Sequence, residues 1–164
     1  MPIVARREVP KRPCSSLGLD VRRWVVSLEI HPAERDRLAE TDKDSTMTHK
    51  LALLIEETGD LLCVEVEGQL AAATADRLTR EIDIAISDAT QSVRAVILNC
   101  KRMDYVSGFG WHTILLLARS LRSRGVKLLL VELQPPLRVI FENCNFLGLL
   151  SIHPTMDEAY TSLS

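Results

Sequence analysis

The chain has 164 residues, enough for one domain with a full hydrophobic core and a short additional segment. Its formal net charge of −2 and its 4% content of aromatic residues disfavour a nucleic-acid-binding protein, which needs a basic surface or stacking platforms. No apolar run approaches the ~20 residues that cross a bilayer, and the N-terminus lacks the apolar core of a secretory signal, so we expect a cytoplasmic protein without direct membrane insertion.

The first 47 residues differ in composition from the rest of the chain. Up to Arg23 there are six basic residues, two acidic residues and three prolines, which predicts an N-terminal arm that is flexible or partly helical. The apolar run Trp24–Ile30 is followed by a helix candidate that begins near Pro32. One hypothesis is that translation starts at Met47, so that the upstream residues are an artefact of the assigned start site. The alternative is that these residues form a real regulatory extension.

A regular pattern of strands and helices begins after Met47. Apolar runs at Leu51–Glu56 and Leu61–Glu67 flank a turn containing Gly59 and Asp60, which indicates a β-hairpin. The segment Ala73–Ala89 carries apolar residues at helical spacing, and Val93–Leu98 has the β-branched pattern of a strand that is buried on both faces.

The second half of the chain continues the alternation. Residues Asn99–Gly108 are predicted to form a loop, followed by a helix over Phe109–Arg124 that ends at Gly125 and a buried strand over Val126–Val131. The remaining expected elements are a helix from Pro135 with Leu137, Ile140, Phe141 and Cys144 on its packed stripe, a strand at Leu149–Ile152, and a last helix carrying Met156, Ala159, Tyr160 and Leu163.

This order predicts a single α/β domain over residues 48–164. Strands that are separated by whole helices must be parallel, so the sheet is mixed and mostly parallel, with one antiparallel hairpin at its N-terminal edge and about four helices. The four cysteines, at positions 14, 63, 100 and 144, are far apart and form no C-x-x-C pair. We therefore expect reduced thiols, mostly buried, in a cytosolic protein.

The stretch from Val96 to Gly125 is the most informative. A buried strand ends at Leu98-Asn99, a polar segment follows, and Ser107-Gly108-Phe109-Gly110 leads into an apolar helix that ends in Arg122-x-x-Gly125. Gly68-Gln69-Leu70 precedes this stretch, and Pro135-Pro136 and Phe146-Leu147-Gly148 follow it. In this order and spacing the pieces resemble the STAS domain family, over essentially all of residues 48–164.

The resemblance implies a protein-interaction module of the kind found in bacterial anti-sigma factor antagonists. In regulated members, the start of the second helix binds a kinase-like anti-sigma factor and frees the sigma factor. The kinase then phosphorylates a serine at that helix start, and the added charge breaks the complex. The chain is accordingly expected to be no enzyme, to control transcription by binding, and to need no cofactor and no metal.

The chain departs from the family pattern at the regulatory site. With Asn99 and Gly110 as anchors, the position where the family usually has Asp is occupied by Ser107, and the position of the phosphoacceptor Ser is occupied by Gly108. The next position, which normally carries a small residue, is Phe109, and the position after Gly-x-Leu, which is often acidic, is Ala71. Phosphorylation at the standard position is therefore excluded. Ser107 is a possible displaced phosphosite, but a helix N-cap is its default role at such a boundary.

The expected partner-binding residues surround the second helix start. Trp111 shares an apolar stripe with Ile114, Leu115 and Ala118, which predicts packing in the core, whereas Phe109 lies off that stripe and is the better contact residue. Leu116 and Leu117 are also partly off the stripe, which suggests cover by a partner or by a second copy in a homodimer. The predicted contact set is Gln69, Ala71, Asp104, Tyr105, Ser107, Gly108, Phe109 and His112.

Other chemistry is disfavoured by spacing. Gly108-x-Gly110 lacks the third glycine or the Gly-Lys-Ser/Thr of a phosphate loop, and Ser107, His112 and Asp104 lack the G-x-S-x-G context of a hydrolase. His112 and His153 are not paired with metal ligands at a recognised spacing. The preferred partner is an anti-sigma factor or another kinase-like regulatory protein. The alternatives are a cytosolic STAS subunit of an ABC-type lipid-transport complex, and a small hydrolase or nucleotide-binding protein.

Overall fold

The structure is a computed structural model that describes residues 3–8, 21–29, 50–144 and 148–164. The strands are β1 (Ile3–Glu8), β2 (Val21–Glu29), β3 (Lys50–Thr58), β4 (Leu61–Leu70), β5 (Ala95–Val106), β6 (Lys127–Val131) and β7 (Ser151–His153). The helices are α1 (Ala72–Ser87), α2 (Gly108–Ser123), α3 (Pro135–Cys144) and α4 (Met156–Leu163).

The seven strands form one mixed sheet in chain order, β1 to β7. Strands β1 to β4 pair antiparallel, whereas β4 to β7 pair parallel. From residue 50 onwards the sheet therefore has one antiparallel pair and three parallel pairs. The predicted α/β class, the hairpin, the mostly parallel mixed sheet and the four helices are confirmed for this part of the chain.

The core lies on both faces of the sheet. Val96 and Leu98 of β5 belong to the larger cluster, which includes buried side chains of α1, α2 and α3, while Ala95 and Ile97 pack in a second cluster with α4. Alternating side chains of a strand point to opposite faces, so β5 is covered on both, as its uninterrupted apolar run predicts.

Two segments of the first 47 residues are strands, β1 and β2. Strand β2 pairs with β3 along its whole length, so β3 is an inner strand and not an edge of the sheet. Trp24 and Val26 are buried in the larger core cluster, which supplies the apolar contacts that order this segment. The basic composition of the flanking residues masked this short strand pattern. The helix candidate near Pro32 and the start of the domain at residue 48 lie outside the described residues.

Helix packing corrects two details of the predicted stripes. In α2 the buried leucines are Leu117 and Leu121, Leu115 is only partly buried, and Leu116 is 52% exposed. In α3, Leu137 and Phe141 are buried but Ile140 is 48% exposed. The buried stripe of α2 is rotated from the predicted one and consists of Gly110, Thr113, Ile114, Leu117, Ala118 and Leu121. In α3 the apolar residues outnumber those that the helix buries.

Gly125 ends α2 as predicted. Its φ of 75° lies in the left-handed region that glycine adopts without steric cost. The backbone N–H groups of Gly125 and Val126 donate to the carbonyls of Arg122 and Leu121 at 3.0 and 2.9 Å. These bonds satisfy carbonyl groups in the last turn and direct the chain into β6.

Candidate functional site at the start of the second helix

The candidate site lies where β4 and β5 end side by side. Strand β5 pairs with β6 only as far as Asn99, and its second half continues beside β4 alone up to Val106. The register of this half shifts twice, because Glu67 faces Arg102 and Gln69 faces Tyr105. Such bulges redirect a strand next to functional sites. Here they bring Asp104 and Tyr105 to the end of the sheet beside Gln69.

The predicted loop over Asn99–Gly108 is therefore wrong: residues 99–106 belong to β5. The polar run Lys101-Arg102-Met103-Asp104 breaks the apolar pattern of the strand, because this half of β5 has a neighbour on one side only. Within this run only the side chain of Met103 is buried, at 1% exposure, whereas its three neighbours are exposed. The side-chain oxygen of Asn99 accepts a hydrogen bond from the Lys101 backbone N–H at 3.0 Å, which supports the first bulge.

A close backbone contact fixes α2 against the end of β4. The Ser107 N–H donates to the carbonyl oxygen of Leu70 at 2.9 Å. A Cβ atom on Gly110 would lie 2.3 Å from that same oxygen, so only glycine permits this approach. The direction in which α2 leaves the sheet is therefore set by Leu70 and Gly110 together.

Ser107 is the N-cap of α2, as predicted. Its side-chain oxygen accepts a hydrogen bond from the Gly110 N–H at 3.0 Å, and its carbonyl accepts one from the Trp111 N–H at 2.9 Å. The residue is only 7% exposed. The side-chain oxygen is thus used for capping, in a residue that is nearly buried.

The side chain of Thr74 stabilises the start of α1 by hydrogen bonds to the backbone, a role that was not predicted from the sequence. Its hydroxyl donates to the Gln69 carbonyl at 2.8 Å and accepts from the Ala71 N–H at 3.0 Å. The available signal is a threonine at the third position of a helix, which can bond back to the N-cap backbone, but an alanine at the N-cap does not match the usual Ser/Thr-x-x-Glu pattern.

Ala71 does not reach the surface. It is 1% exposed and packs under the start of α1, so its methyl group is not available to a partner and the prediction of a contact there needs this correction. Gln69 and Tyr105 are partly buried and face one another across β4 and β5.

The exposed part of the predicted set is Asp104, Gly108, Phe109 and His112. Phe109 is 49% exposed, which is unusual for a large aromatic side chain in a first helical turn. Nothing lies within 4 Å of the position that a Cβ on Gly108 would take. Gly108 and Phe109 therefore form an open, rigidly positioned surface at the start of α2.

Comparison with known proteins identifies the domain. A family model described as STAS domain matches residues 52–159, which is most of the chain. The chain belongs to the STAS domain family. The predicted resemblance is confirmed, and strands β1 and β2 lie outside the matched residues.

One curated relative and two solved structures illustrate the match. The STAS domain is 28% identical over 109 residues to the putative anti-sigma factor antagonist BtrV of Bordetella bronchiseptica, covering 66% of this chain and 91% of that protein. It shares its fold with the Bacillus cell fate determinant SpoIIAA in the phosphorylated form (19% identity, TM-score 0.53, covering 68% of this chain and 99% of that one). It also shares its fold with a sulfate transporter family protein from Wolinella succinogenes (23% identity, TM-score 0.53, covering 64% and 87%).

Behind the exposed surface, the STAS domain holds α2 by an aromatic contact. The rings of Trp111 and Phe141 meet edge to face, with centroids 4.2 Å apart and planes at 84°. Phe141 is fully buried, and Trp111 is partly buried against the larger core cluster. The expected core packing of Trp111 is confirmed, and it leaves Phe109 as the exposed aromatic residue of the site.

Two cysteines of the STAS domain whose side chains are described, Cys63 and Cys100, are free thiols. Burial raises the pKa of the Cys100 thiol to about 12. Burial is also the main cause that raises the pKa of Cys63, whose sulfur lies 3.4 Å from the Tyr160 hydroxyl. Both groups are thus neutral thiols at physiological pH, as the sequence predicted for buried cysteines.

The described residues of the STAS domain contain neither a metal-binding cluster nor a membrane-spanning helix. No group of three histidine, cysteine or acidic side chains in these ranges is arranged to hold a metal ion. None of the helices described is both long and apolar enough to span a bilayer.

Proposed function

We propose that this chain is an anti-sigma factor antagonist, a non-enzymatic protein that binds an anti-sigma factor in the cytosol and thereby controls transcription. The observation that carries the proposal is the exposure of Phe109 beside Gly108 on a helix start fixed by two strand ends. The likeness to BtrV, named as a putative anti-sigma factor antagonist, supports the same function.

The proposed docking surface consists of Asp104, Gly108, Phe109 and His112. Interfaces draw most of their binding energy from a few large side chains, with aromatic residues prominent among them. Since the Leu70–Gly110 contact and the Ser107 cap already order the backbone here, little conformational entropy would be lost on binding. Phe109 is therefore the proposed anchor, and its polar neighbours form the rim.

We propose that this surface lacks the phosphorylation switch of regulated family members. Gly108, aligned with the phosphoacceptor, has no hydroxyl group. Ser107 is a poor substitute, because a phosphate on its oxygen would remove the cap on Gly110 N–H and would have to leave a nearly buried position. Binding is thus constitutive or controlled by a different means.

A serine–histidine contact elsewhere in the domain is not arranged for nucleophilic catalysis. The Ser162 side-chain oxygen lies 3.3 Å from His153 Nε2, but its hydroxyl donates to the Ala159 carbonyl at 2.7 Å. The proton is therefore directed away from the imidazole, which is the wrong arrangement for an activated nucleophile. This contact ties α4 to β7 instead.

Calorimetric titration of the purified chain with the purified kinase-like anti-sigma factors of its source organism tests the docking surface. Phe109→Ala should weaken binding to the cognate factor by about 1–3 kcal/mol, which is roughly 5- to 150-fold in Kd. Val139→Ala on α3 is the matched control, because Val139 is also an exposed apolar residue, at 57%. Failure of every such factor to bind the wild-type chain would refute the proposed function.

A single substitution tests the missing switch. Because the space around Gly108 is open, Gly108→Ser adds a hydroxyl without a clash. With the cognate anti-sigma factor and ATP, mass spectrometry should find one phosphate on the variant and none on the wild type, and phosphate should abolish binding of the variant. Stoichiometric phosphate on Ser107 of the wild type would contradict the proposal.

A further inference from the structure

One peptide unit, between Leu70 and Ala71, connects the starts of α1 and α2. Its carbonyl oxygen, on Leu70, accepts a hydrogen bond from the Ser107 N–H at 2.9 Å. Its N–H, on Ala71, donates to the hydroxyl oxygen of Thr74 at 3.0 Å. A trans peptide unit is planar and its C=O and N–H point in opposite directions, so neither bond can turn without the other. A side chain of α1 is thereby linked to the N-cap of α2 through a single rigid group.

Thr74 bridges the backbone on both sides of Leu70. Its hydroxyl donates to the Gln69 carbonyl at 2.8 Å, which is nearer than the Ala71 carbonyl at 3.3 Å. The same oxygen accepts the Ala71 N–H. The end of β4 is therefore held from α1 at the residue whose carbonyl supports α2.

Burial removes water as a replacement partner for these groups. Leu70 and Thr74 are 0% exposed, and Ala71 is 1% exposed. A buried N–H group that loses its acceptor costs more free energy than an ordinary hydrogen bond contributes. Without the Thr74 hydroxyl, the peptide unit would rotate towards another partner or the turn would open to water. Either change displaces the Leu70 carbonyl.

The first turn of α2 follows any displacement of this carbonyl, because the helix rests directly on it. A Cβ atom on Gly110 would lie 2.3 Å from the Leu70 oxygen and 2.9 Å from its carbonyl carbon. Phe109 precedes Gly110 in the same turn and is 49% exposed. The direction in which Phe109 is presented thus depends on a bond that Thr74 makes on the other side of the sheet end.

We propose that Thr74 is a positioning residue for the docking surface: through the Leu70–Ala71 peptide unit it sets where α2 presents Phe109 to the anti-sigma factor. Thr74 is fully buried, so it does not touch the partner, and its effect on affinity passes through backbone hydrogen bonds. Packed elements and hydrogen-bond networks carry such coupling between sites. This inference rests on the proposed function and names a residue that controls the affinity of the same surface.

Two substitutions at position 74 separate the hydroxyl group from the methyl group. Thr74→Val replaces the hydroxyl by a methyl group of similar size, and Thr74→Ser keeps the hydroxyl. In calorimetric titrations with the cognate anti-sigma factor, Thr74→Val should bind about 3- to 30-fold more weakly than the wild type. Thr74→Ser should bind like the wild type, because the bonds to Gln69 and Ala71 remain.

Thr90→Val is the matched control. It makes the same chemical change and removes the hydrogen bond from the Thr90 hydroxyl to the buried carboxylate of Glu57. Thr90 follows the last turn of α1, whereas Thr74 lies in the first turn. This variant should therefore lose stability but bind the anti-sigma factor like the wild type.

NMR measures the positioning without any anti-sigma factor. In Thr74→Val, the Ser107 amide proton should exchange faster than the lower free energy of unfolding requires, because its bond to the Leu70 carbonyl is weakened. In Thr90→Val, exchange of the same proton should change only with the global stability. In the wild type, scalar coupling between the Ser107 amide nitrogen and the Leu70 carbonyl carbon should be detected, and this measurement does not depend on whether any variant folds.

The proposal would be overturned by a Thr74→Val affinity equal to that of the wild type, by equal weakening in Thr74→Ser or Thr90→Val, or by absence of the coupling to Leu70. In each of these cases the proposed function still stands, provided that the wild-type chain binds its anti-sigma factor. If no such factor binds the wild type, the proposed function fails. The exchange of the Ser107 amide then decides by itself whether Thr74 positions the start of α2.

Discussion

The Leu70 carbonyl oxygen and Gly110 make a contact so close that no side chain fits between them: a Cβ on Gly110 would lie 2.3 Å from that oxygen. The same oxygen accepts the Ser107 N–H at 2.9 Å. One carbonyl group therefore holds both the N-cap and the first turn of α2. The end of β4 thus determines where α2 begins and where Phe109 is presented.

Gly110→Ala should destabilise the fold by about 1–3 kcal/mol, because α2 must move away from backbone atoms that cannot yield. Binding of the anti-sigma factor should weaken as well, since Phe109 moves with the helix. Urea denaturation and calorimetric titration measure the two effects. Gly108→Ala is the control: its new methyl group meets nothing within 4 Å, so the free energy of unfolding should be unchanged or slightly higher.

Ser107→Ala should cost about 1 kcal/mol of stability through loss of the helix cap. The effect is local, so hydrogen exchange of the Gly110 amide should become faster while that of the central strands changes only as the global stability requires. Ser107→Thr should retain most of the stability, because threonine can accept the same hydrogen bond. Unchanged exchange in Ser107→Ala would show that the hydroxyl does not cap the helix in solution.

Trp24→Ala should lower the free energy of unfolding by about 3–5 kcal/mol, because this side chain is 9% exposed within the larger core cluster. Val25→Ala, at a neighbouring and only partly buried position, should cost clearly less. A chain that begins at Met47 would lose Trp24 and Val26 together and would leave β3 without its β2 neighbour. We expect it to be less stable and prone to aggregate; equal stability would assign the N-terminal strands no structural role.

Alkaline pH should destabilise the protein through Cys100. The folded-state pKa is raised from 9.0 to about 12, so the unfolded chain loses this proton first as the pH rises. The stability that the neutral thiol contributes is fully present below pH 9 and is lost as the pH approaches the folded-state pKa. In denaturation experiments between pH 8 and pH 11, the free energy of unfolding should therefore decline less for Cys100→Ala than for the wild type. Parallel curves would contradict the assigned burial of the thiol.

The sequence was sufficient for the part of the fold that depends on hydrophobic pattern. The apolar run Val93–Leu98 predicted a strand covered on both faces, and the two core clusters on either side of β5 agree. Gly125 and Ser107 were correctly placed at the two ends of α2, because backbone conformation and capping restrict the residue types at helix boundaries.

The errors fall where a residue's environment depends on which strands are neighbours. The polar half of β5 looks like a loop in the sequence, and only its pairing with β4 beyond the end of β6 makes it a strand. In the same way, the short apolar run around Trp24 does not reveal from the sequence where it packs, because its pairing and burial depend on β3.

The empty space at Gly108 has an evolutionary consequence. A side chain gained there would neither strain the backbone nor disturb the core, so the scaffold tolerates variation at this position without compensating changes. A single Gly-to-Ser substitution would therefore place a hydroxyl at the position that we propose lacks its phosphoacceptor, and the reverse substitution would remove it. Gly110, two residues further on, is by contrast constrained by folding, because a Cβ there would lie 2.3 Å from the Leu70 carbonyl oxygen.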